Sequence, residues 1–190
     1  MAFDAIFMSA VVRELREGFL GGRIDKIYQP GNLDVILSLH GSRGNGKLLL
    51  SANPSHPRLH LTTLERENPE KPPMFCMLLR KHLSGARILE IEQPYMERVV
   101  ALRLECTDEL GDKVRRTLVL EAMGRRANLI LLDGEDRITE CLRRMDGDLA
   151  AGVRPVLPGL FYTLPEPRFG VPPLLERELR FRGEEGDLKP

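Results

Sequence analysis

The sequence predicts an α+β domain that is mostly β: an antiparallel β-sandwich or flattened barrel with one N-terminal helix and one inserted helix. Three observations lead there. An amphipathic helical stripe occupies the first twenty or so residues. Short alternating runs then follow one another from Arg23 to Leu142, interrupted by a single helical run at 73–83. The connections between consecutive runs are short, which suits antiparallel pairing and leaves no room for the crossovers of a Rossmann or TIM fold.

The first helix is predicted over about residues 4–20. Ile6, Phe7, Ala10, Val11, Leu15 and Phe19 recur at three- and four-residue steps, so they are expected on one buried stripe. Asp4 suits the N-cap, and Gly21-Gly22 ends the helix. Arg13, Glu14, Arg16 and Glu17 form the expected solvated face.

Strands are expected at 23–28, ending at Pro30, and at 33–39. The glycine-rich run Gly41 to Gly46 reads as a hairpin turn, and Lys47 to Ser51 returns from it. Pro54 and Pro57 interrupt the ladder before Arg58 to Thr62. The inserted helix opens at Pro72-Pro73, buries Met74, Met77, Leu78 and Leu83 with Cys76 beside them, and closes at Gly85. Further strands are expected at 87–92, 98–105, 114–121, 128–132 and 137–142, with turns at Leu110-Gly111-Asp112 and Asp133 to Asp136. The domain reads as residues 1–164, and residues 165–190 as a Pro-rich linker or shortened tail with a short helix at 174–180.

The 190 residues carry 28 Lys+Arg against 28 Asp+Glu, so the formal net charge is zero. That excludes a uniformly basic wrapper of nucleic acid but leaves room for a local basic face. Only six of the 28 cations are lysine, at 26, 47, 71, 81, 113 and 189. The rest are arginine, the better fork for phosphates. Basic clusters fall at Arg80-Lys81-His82, Arg115-Arg116, Arg125-Arg126 and Arg143-Arg144. Aromatic residues are 5% with no Trp, so phosphate contacts or shape-based RNA recognition are favoured over a stacking platform for single-stranded bases.

Catalytic and metal signatures are missing. His40, His56, His60 and His82 have no metal-binding spacing, and Gly41 to Gly46 lacks the Lys-Ser/Thr and helix of a phosphate loop. Cys76, Cys106 and Cys141 form no CxxC pair and read as buried reduced thiols. No stretch approaches the ~20 apolar residues of a membrane span. The N-terminus has Asp4 and no basic flank, unlike a signal peptide. The expectation is a cytoplasmic protein with no cofactor, no metal and no membrane partner.

Several words of the sequence, read in order, are more specific. They are the opening Met1 to Phe7, Gly21 to Pro30, Leu48 to Pro54, Pro72 to Leu83, Gly85 to Ile88, Glu97-Arg98, Gly124-Arg125 with Asn128-Leu129-Ile130, and Arg154 to Gly159 with Tyr162. This set resembles the N-terminal NFACT domain of the RqcH/NEMF family, long labelled fibronectin-binding protein A in bacteria. The resemblance covers roughly residues 1–165. It implies a fold like the N-terminal domain of MutM-type DNA glycosylases. It also implies a role in ribosome-associated quality control. There, relatives bind large ribosomal subunits obstructed by peptidyl-tRNA, recruit tRNA (alanyl-tRNA in the bacterial members) and support C-terminal tailing of the stalled chain.

The family's Asp-Arg pair, implied to serve tRNA recruitment, falls here on Glu97-Arg98, so this sequence departs at the acid. Arg98 is expected to contact RNA while Glu97 orients it. The family's Gly-Arg-His-Ser-Asn stretch is here Gly124-Arg125-Arg126-Ala127-Asn128. Arg80, Lys81, Arg125 and Arg126 are further candidate RNA contacts. Two rival readings accompany the resemblance. A glycosylase would need an N-terminal proline amine followed by a glutamate, whereas Ala2 and Phe3 stand here, so no enzyme activity is expected. A fibronectin-binding surface role would need an export signal that the N-terminus does not supply.

Overall fold

The computed structural model describes residues 4–148, 150 and 152–165. Among them, two helices and nine strands run in the order α1 (Ala5–Phe19), β1 (Arg23–Gly31), β2 (Asp34–Gly41), β3 (Gly44–Ser51), β4 (Arg58–Leu61), α2 (Met74–Leu83), β5 (Arg87–Glu92), β6 (Val99–Thr107), β7 (Lys113–Glu121), β8 (Asn128–Leu132) and β9 (Ile138–Cys141). All strand pairings are antiparallel, so the mostly β, α+β class is observed. The strands form one hydrogen-bonded sheet in the order β4-β3-β2-β1-β5-β6-β7-β8-β9.

The expected sandwich is thus a single continuous ladder made of two wings, β1–β4 and β5–β9, each a meander of consecutive strands. The wings meet at one register pair, Arg23 with Arg87. They share one apolar core. Leu37, Leu48 and Leu59 of the first wing cluster with Ile88, Leu102 and Leu118 of the second, and with Leu15 of α1 and Leu79 of α2.

Both helices end in the same way. Leu20 and Ser84 cap α1 and α2, and each is followed by a glycine in the left-handed region, Gly21 at φ +77° and Gly85 at φ +76°. Each glycine turns the chain directly into a strand, β1 or β5. The two corners are bonded to each other by main-chain groups: Gly21 N to Ile88 O, Ile24 N to Ala86 O, Gly85 N to Ile24 O and Ile88 N to Gly22 O, at 2.8–2.9 Å.

Asp4 caps α1 as expected, its carboxylate accepting the Phe7 N–H at 2.8 Å. The buried stripe is rotated from the expected one. Met8, Val11, Val12, Leu15 and Phe19 face the core, whereas Ile6 and Phe7 stay about half exposed and Ala10 is exposed. Both stripes have helical spacing, because the first two turns are apolar nearly all round. Arg16, expected to be solvated, donates from Nε to the Ile91 carbonyl of β5 at 2.6 Å. The same ambiguity affects α2. Phe75, Cys76, Leu79 and Leu83 are buried, while Met74 and Met77 point outward at 79% and 53% exposure. Here Arg80 sets the rotation, its Nε bonding the Ile27 carbonyl of β1 at 2.8 Å.

The glycine run at 41–46 is mostly strand, closed by a two-residue loop, Ser42-Arg43. Gly44 takes a positive φ of +96° where the loop re-enters β3, whereas Gly41 and Gly46 make room. Phe19, at the end of α1, packs over Gly41 and Gly46. The loop in turn completes the helix: the Ser42 hydroxyl lies 3.3 and 3.2 Å from the Glu17 and Gly18 carbonyls, and Arg43 pairs with Glu17. β1 runs on through Pro30, which is tolerated because β5 pairs with β1 only at Arg23. Other strand ends fall within two residues of expectation. The predicted helix at 174–180 lies outside the described residues.

A second apolar cluster covers the opposite face of β6–β9. Val99, Ala101, Val119, Ile130 and Leu132 alternate with the residues that face the shared core, and Val156 packs on them. The cover is formed by residues 143–148 and 152–162, fastened by isolated bridges between Arg137 and Phe161, Met145 and Val156, and Asp148 and Val153.

The seat of α1 generates a stability prediction. A Cβ at Gly41 would overlap the Gly18 carbonyl oxygen and lie 2.9 Å from the Phe19 Cα, so backbone must shift. Gly41→Ala is expected to destabilise the fold by at least about 1–3 kcal/mol in denaturant titration. Gly31→Ala, where a Cβ meets nothing within 4 Å, should stay within about 0.5 kcal/mol of the parent.

Candidate nucleic-acid interface

A cleft of about 760 Å³ opens where the covering segment meets the ends of β6 and β7. Four arginines line it, Arg98, Arg125, Arg126 and Arg154, against one carboxylate, Glu121. Each is placed by a different element. Arg98 immediately precedes β6, and its carbonyl accepts the Ala122 N–H at 2.8 Å, joining it to the end of β7. Arg125 and Arg126 ride on the 3-10 turn Gly124–Arg126 and are exposed.

That turn is anchored from below. Asn128 is fully buried; its Nδ2 donates to the Arg143 carbonyl at 2.7 Å, and its Oδ1 accepts the Arg143 N–H at 3.0 Å. Arg143 then reaches forward with Nη1 to the carbonyls of Arg125 and Ala127, both at 3.0 Å. Arg143 is therefore spent on holding the turn. Arg144 is bound to Glu140 at 2.9 Å. Of the four basic clusters seen in the sequence, only Arg125-Arg126 enters the cleft.

Glu121 forms the floor with 3% of its side chain exposed. Its Oε1 accepts from Arg154 Nη2 and from the Tyr162 hydroxyl, the latter at 2.8 Å, and the Arg154 guanidinium sits 5.1 Å from the Tyr162 ring centroid. Burial pushes the Glu121 carboxyl above its ordinary value, and Arg154 and Tyr162 pull it back. Burial, reinforced by the adjacent carboxylate, pushes the Tyr162 hydroxyl up as well. The bond to Glu121 leaves Arg154 Nη1 buried without a hydrogen-bond partner.

The expected pairing of Glu97 with Arg98 is not seen. Both side chains are partly buried, and neither makes a hydrogen bond or ion pair among the described residues; Glu97 is held through its main chain, its N–H bonding Pro94 O at 2.9 Å. Arg98 therefore stands in the cleft with its guanidinium uncommitted. Arg80 and Lys81 lie away from the cleft and are engaged, Arg80 with Ile27 O and the Tyr28 ring, and Lys81 with Glu109 at 2.8 Å. Glu121, Arg154 and Tyr162 do not stand out as site residues in the sequence. The signal for them is the run 128–132, apolar at every position after Asn128, which demands cover on both faces and so a segment folded back across β8.

Among the described residues no cluster of His, Cys, Asp or Glu is placed to hold a metal ion, and no helix is long and apolar enough to cross a membrane. Cys76, Cys106 and Cys141 are buried, and burial pushes the Cys106 and Cys141 thiols up to about 11.

Two stability predictions follow from the cleft. Glu121→Leu should cost about 3–5 kcal/mol, because it leaves Arg154 uncompensated, and the double change Glu121→Leu with Arg154→Met should recover most of that loss in chemical denaturation. Arg98→Ala should shift stability by no more than about 0.5 kcal/mol, since the guanidinium has no protein partner to give up.

The comparisons with known proteins agree with this architecture. The family model described as NFACT N-terminal and middle domains matches residues 4–185. The Rqc2 homolog RqcH of Bacillus subtilis (strain 168) is 43% identical over 175 residues, which is 92% of this chain and 30% of that protein. The archaeal Rqc2 homolog aRqcH of Methanocaldococcus jannaschii is 37% identical over 136 residues, 70% of this chain and 19% of that protein. The N-terminal domain of fibronectin-binding protein PavA from Streptococcus pneumoniae superposes with a TM-score of 0.83 at 35% identity, covering 95% of this chain and 69% of that structure. The chain spans about 30% of the length of the first curated relatives it matches. With the family match running through nearly all of the sequence and a solved domain of the same architecture beside it, the chain belongs to the NFACT family.

Proposed function

We propose that this chain is an RNA-binding module of ribosome-associated quality control, which holds tRNA against obstructed large ribosomal subunits and supports C-terminal tailing of the stalled chain. The observation that carries the reading is the cleft: four guanidiniums converge there, and the single carboxylate among them is already paired. Such a concavity has a surplus of fixed positive charge and suits a polyanion with a curved backbone. The names of the relatives, Rqc2 homolog RqcH and ribosome quality control complex subunit NEMF, support placing that polyanion on the ribosome.

Arg98, Arg125 and Arg126 are the residues assigned to contact RNA, with alanyl-tRNA the substrate that the family resemblance favours. Arg98 works without a carboxylate escort, so its fork is free for a phosphate or a base edge. Arg80 and Lys81 take a lesser part, because their side chains already have protein partners. The role is binding in the cytoplasm, with no reaction catalysed and no cofactor. The fibronectin-binding names of the solved neighbours supply a second reading, in which the same domain engages a surface protein.

Binding of labelled bulk tRNA to large subunits in the presence of this chain tests the proposal. Arg125→Ala with Arg126→Ala should lower the slope of log affinity against log salt by about two, one for each phosphate no longer neutralised. Arg98→Ala should weaken tRNA association by about 1–3 kcal/mol while leaving the melting temperature in place. Salt-independent tRNA association in both variants, alongside retention on immobilised fibronectin, would reverse the order of the two readings.

A further inference from the structure

Two non-glycine residues have positive φ among the described residues, Tyr95 at +50° and Asp136 at +61°. Asp136 needs no special account. Aspartate tolerates the left-handed region, and this one sits in a hairpin turn, its N–H directed at the Asp133 carbonyl at 3.3 Å. Tyr95 is different. A bulky aromatic residue gains nothing locally from this conformation, and such strain persists only where the surroundings impose it. No burial offsets the strain, because Tyr95 is 85% exposed.

The surroundings that impose it are visible. Tyr95 is the middle residue of the 3-10 turn Pro94–Met96. On one side Pro94 fixes the entry. On the other, the Glu97 N–H returns to the Pro94 carbonyl at 2.9 Å. Gln93 clamps the whole turn: its Nε2 donates to the Glu97 carbonyl at 2.9 Å and to the Ala5 carbonyl at the start of α1 at 2.8 Å. The ring is thus presented to solvent on a short, doubly tethered loop. Three residues later the chain reaches Arg98, at the wall of the arginine cleft, so the two Cα atoms lie within about 11 Å.

We infer that Tyr95 is a stacking residue for an unpaired nucleobase at the edge of the cleft, adding single-strand discrimination to a site that otherwise reads phosphates. The inference rests on the reading of the cleft as an RNA interface and assigns it a ligand feature: an unstacked base, as in an RNA loop, beside the phosphate held by Arg98. An exposed ring on a tethered loop suits this role, since stacking is tolerant of base identity and gains from a backbone that is already held. Tyr95 is also the most exposed of the chain's three tyrosines, Tyr28 and Tyr162 being partly buried.

Two RNA probes test this: a fluorescein-labelled hairpin with a seven-base loop, and a blunt duplex of the same length. Tyr95→Gly removes the ring and suits the left-handed backbone, so the fold is expected to persist. It should weaken hairpin binding by about five- to 150-fold, the range of one base–aromatic stack, and leave duplex binding unchanged. Tyr95→Phe should retain hairpin binding. Intrinsic tyrosine emission should be quenched by the hairpin in the parent and show little quenching in Tyr95→Phe. Hairpin binding unchanged in Tyr95→Gly but weakened in Arg98→Ala would overturn the stacking role and leave the cleft as the RNA site. Equal losses on hairpin and duplex would also overturn it, by making Tyr95 a general structural support. If the parent binds neither probe, both the RNA reading of the cleft and the role of Tyr95 fail.

Discussion

The two wings of the sheet are joined by four main-chain hydrogen bonds between the glycine corners that follow the helices. Everything else in the domain takes its position from that junction. A corner of this kind needs a residue that can enter the left-handed region without a Cβ penalty, and Gly21 and Gly85 supply it at equivalent places. Because each corner carries a helix on one side and a strand on the other, joining them also sets α1 and α2 against both wings. Arg16 and Arg80 then tie the helices across it, each through its Nε to a strand carbonyl. The arginine-rich composition is partly explained in this way. Several guanidiniums are internal fasteners, which is a role the point charge of lysine fills less well.

The cleft is a by-product of a sheet that is apolar on both sides. β6–β8 bury one face in the shared core, and the other must be covered, so residues 143–148 and 152–162 fold back over it. Where that cover stops short of the strand ends, a concavity remains. Its chemistry follows from local needs. Glu121 lies at the covered end of β7 and cannot stay unpaired there, so Arg154 and Tyr162 meet it. Asn128 and Arg143 close the turn beneath Arg125 and Arg126. The arginines that remain free are those whose backbones are held by something else, as with Arg98 through Ala122.

Much of the fold was legible in the sequence, and the failures share a cause. Strand alternation, Asp4 and the two glycine corners are local signals, and they placed nearly every element within two residues. Which face of a helix is buried is a tertiary fact. The stretch from Ala5 to Val12 offers two overlapping stripes, and only packing against the folded sheet selects Met8 and Val12 over Ile6 and Phe7. The run at 41–46 does hold the hairpin turn, with Gly44 at positive φ, but Gly41 and Gly46 are there for close packing; the neighbour that uses their space, Phe19, is more than twenty residues away in sequence. At the site, Arg98, Arg125 and Arg126 could be named from the family resemblance. Their separation from Arg80 and Lys81 could not, because it depends on how the ends of β6 and β7 lie relative to α2.

The strand order has a bearing on how the domain forms during synthesis. The first wing is complete by Leu61, and each of its pairings is between neighbours in sequence. A nascent chain can therefore assemble α1 and β1–β4 from short-range contacts, with low loop-closure cost, before the second wing has been made. β1 then waits with one side open until α2 and Gly85 deliver β5 to it. Until then the Arg23 end of β1 has no partner on that side; the rest of that edge is not paired by β5 even in the finished sheet, and the proline at position 30 limits how far a wrong partner can extend along it.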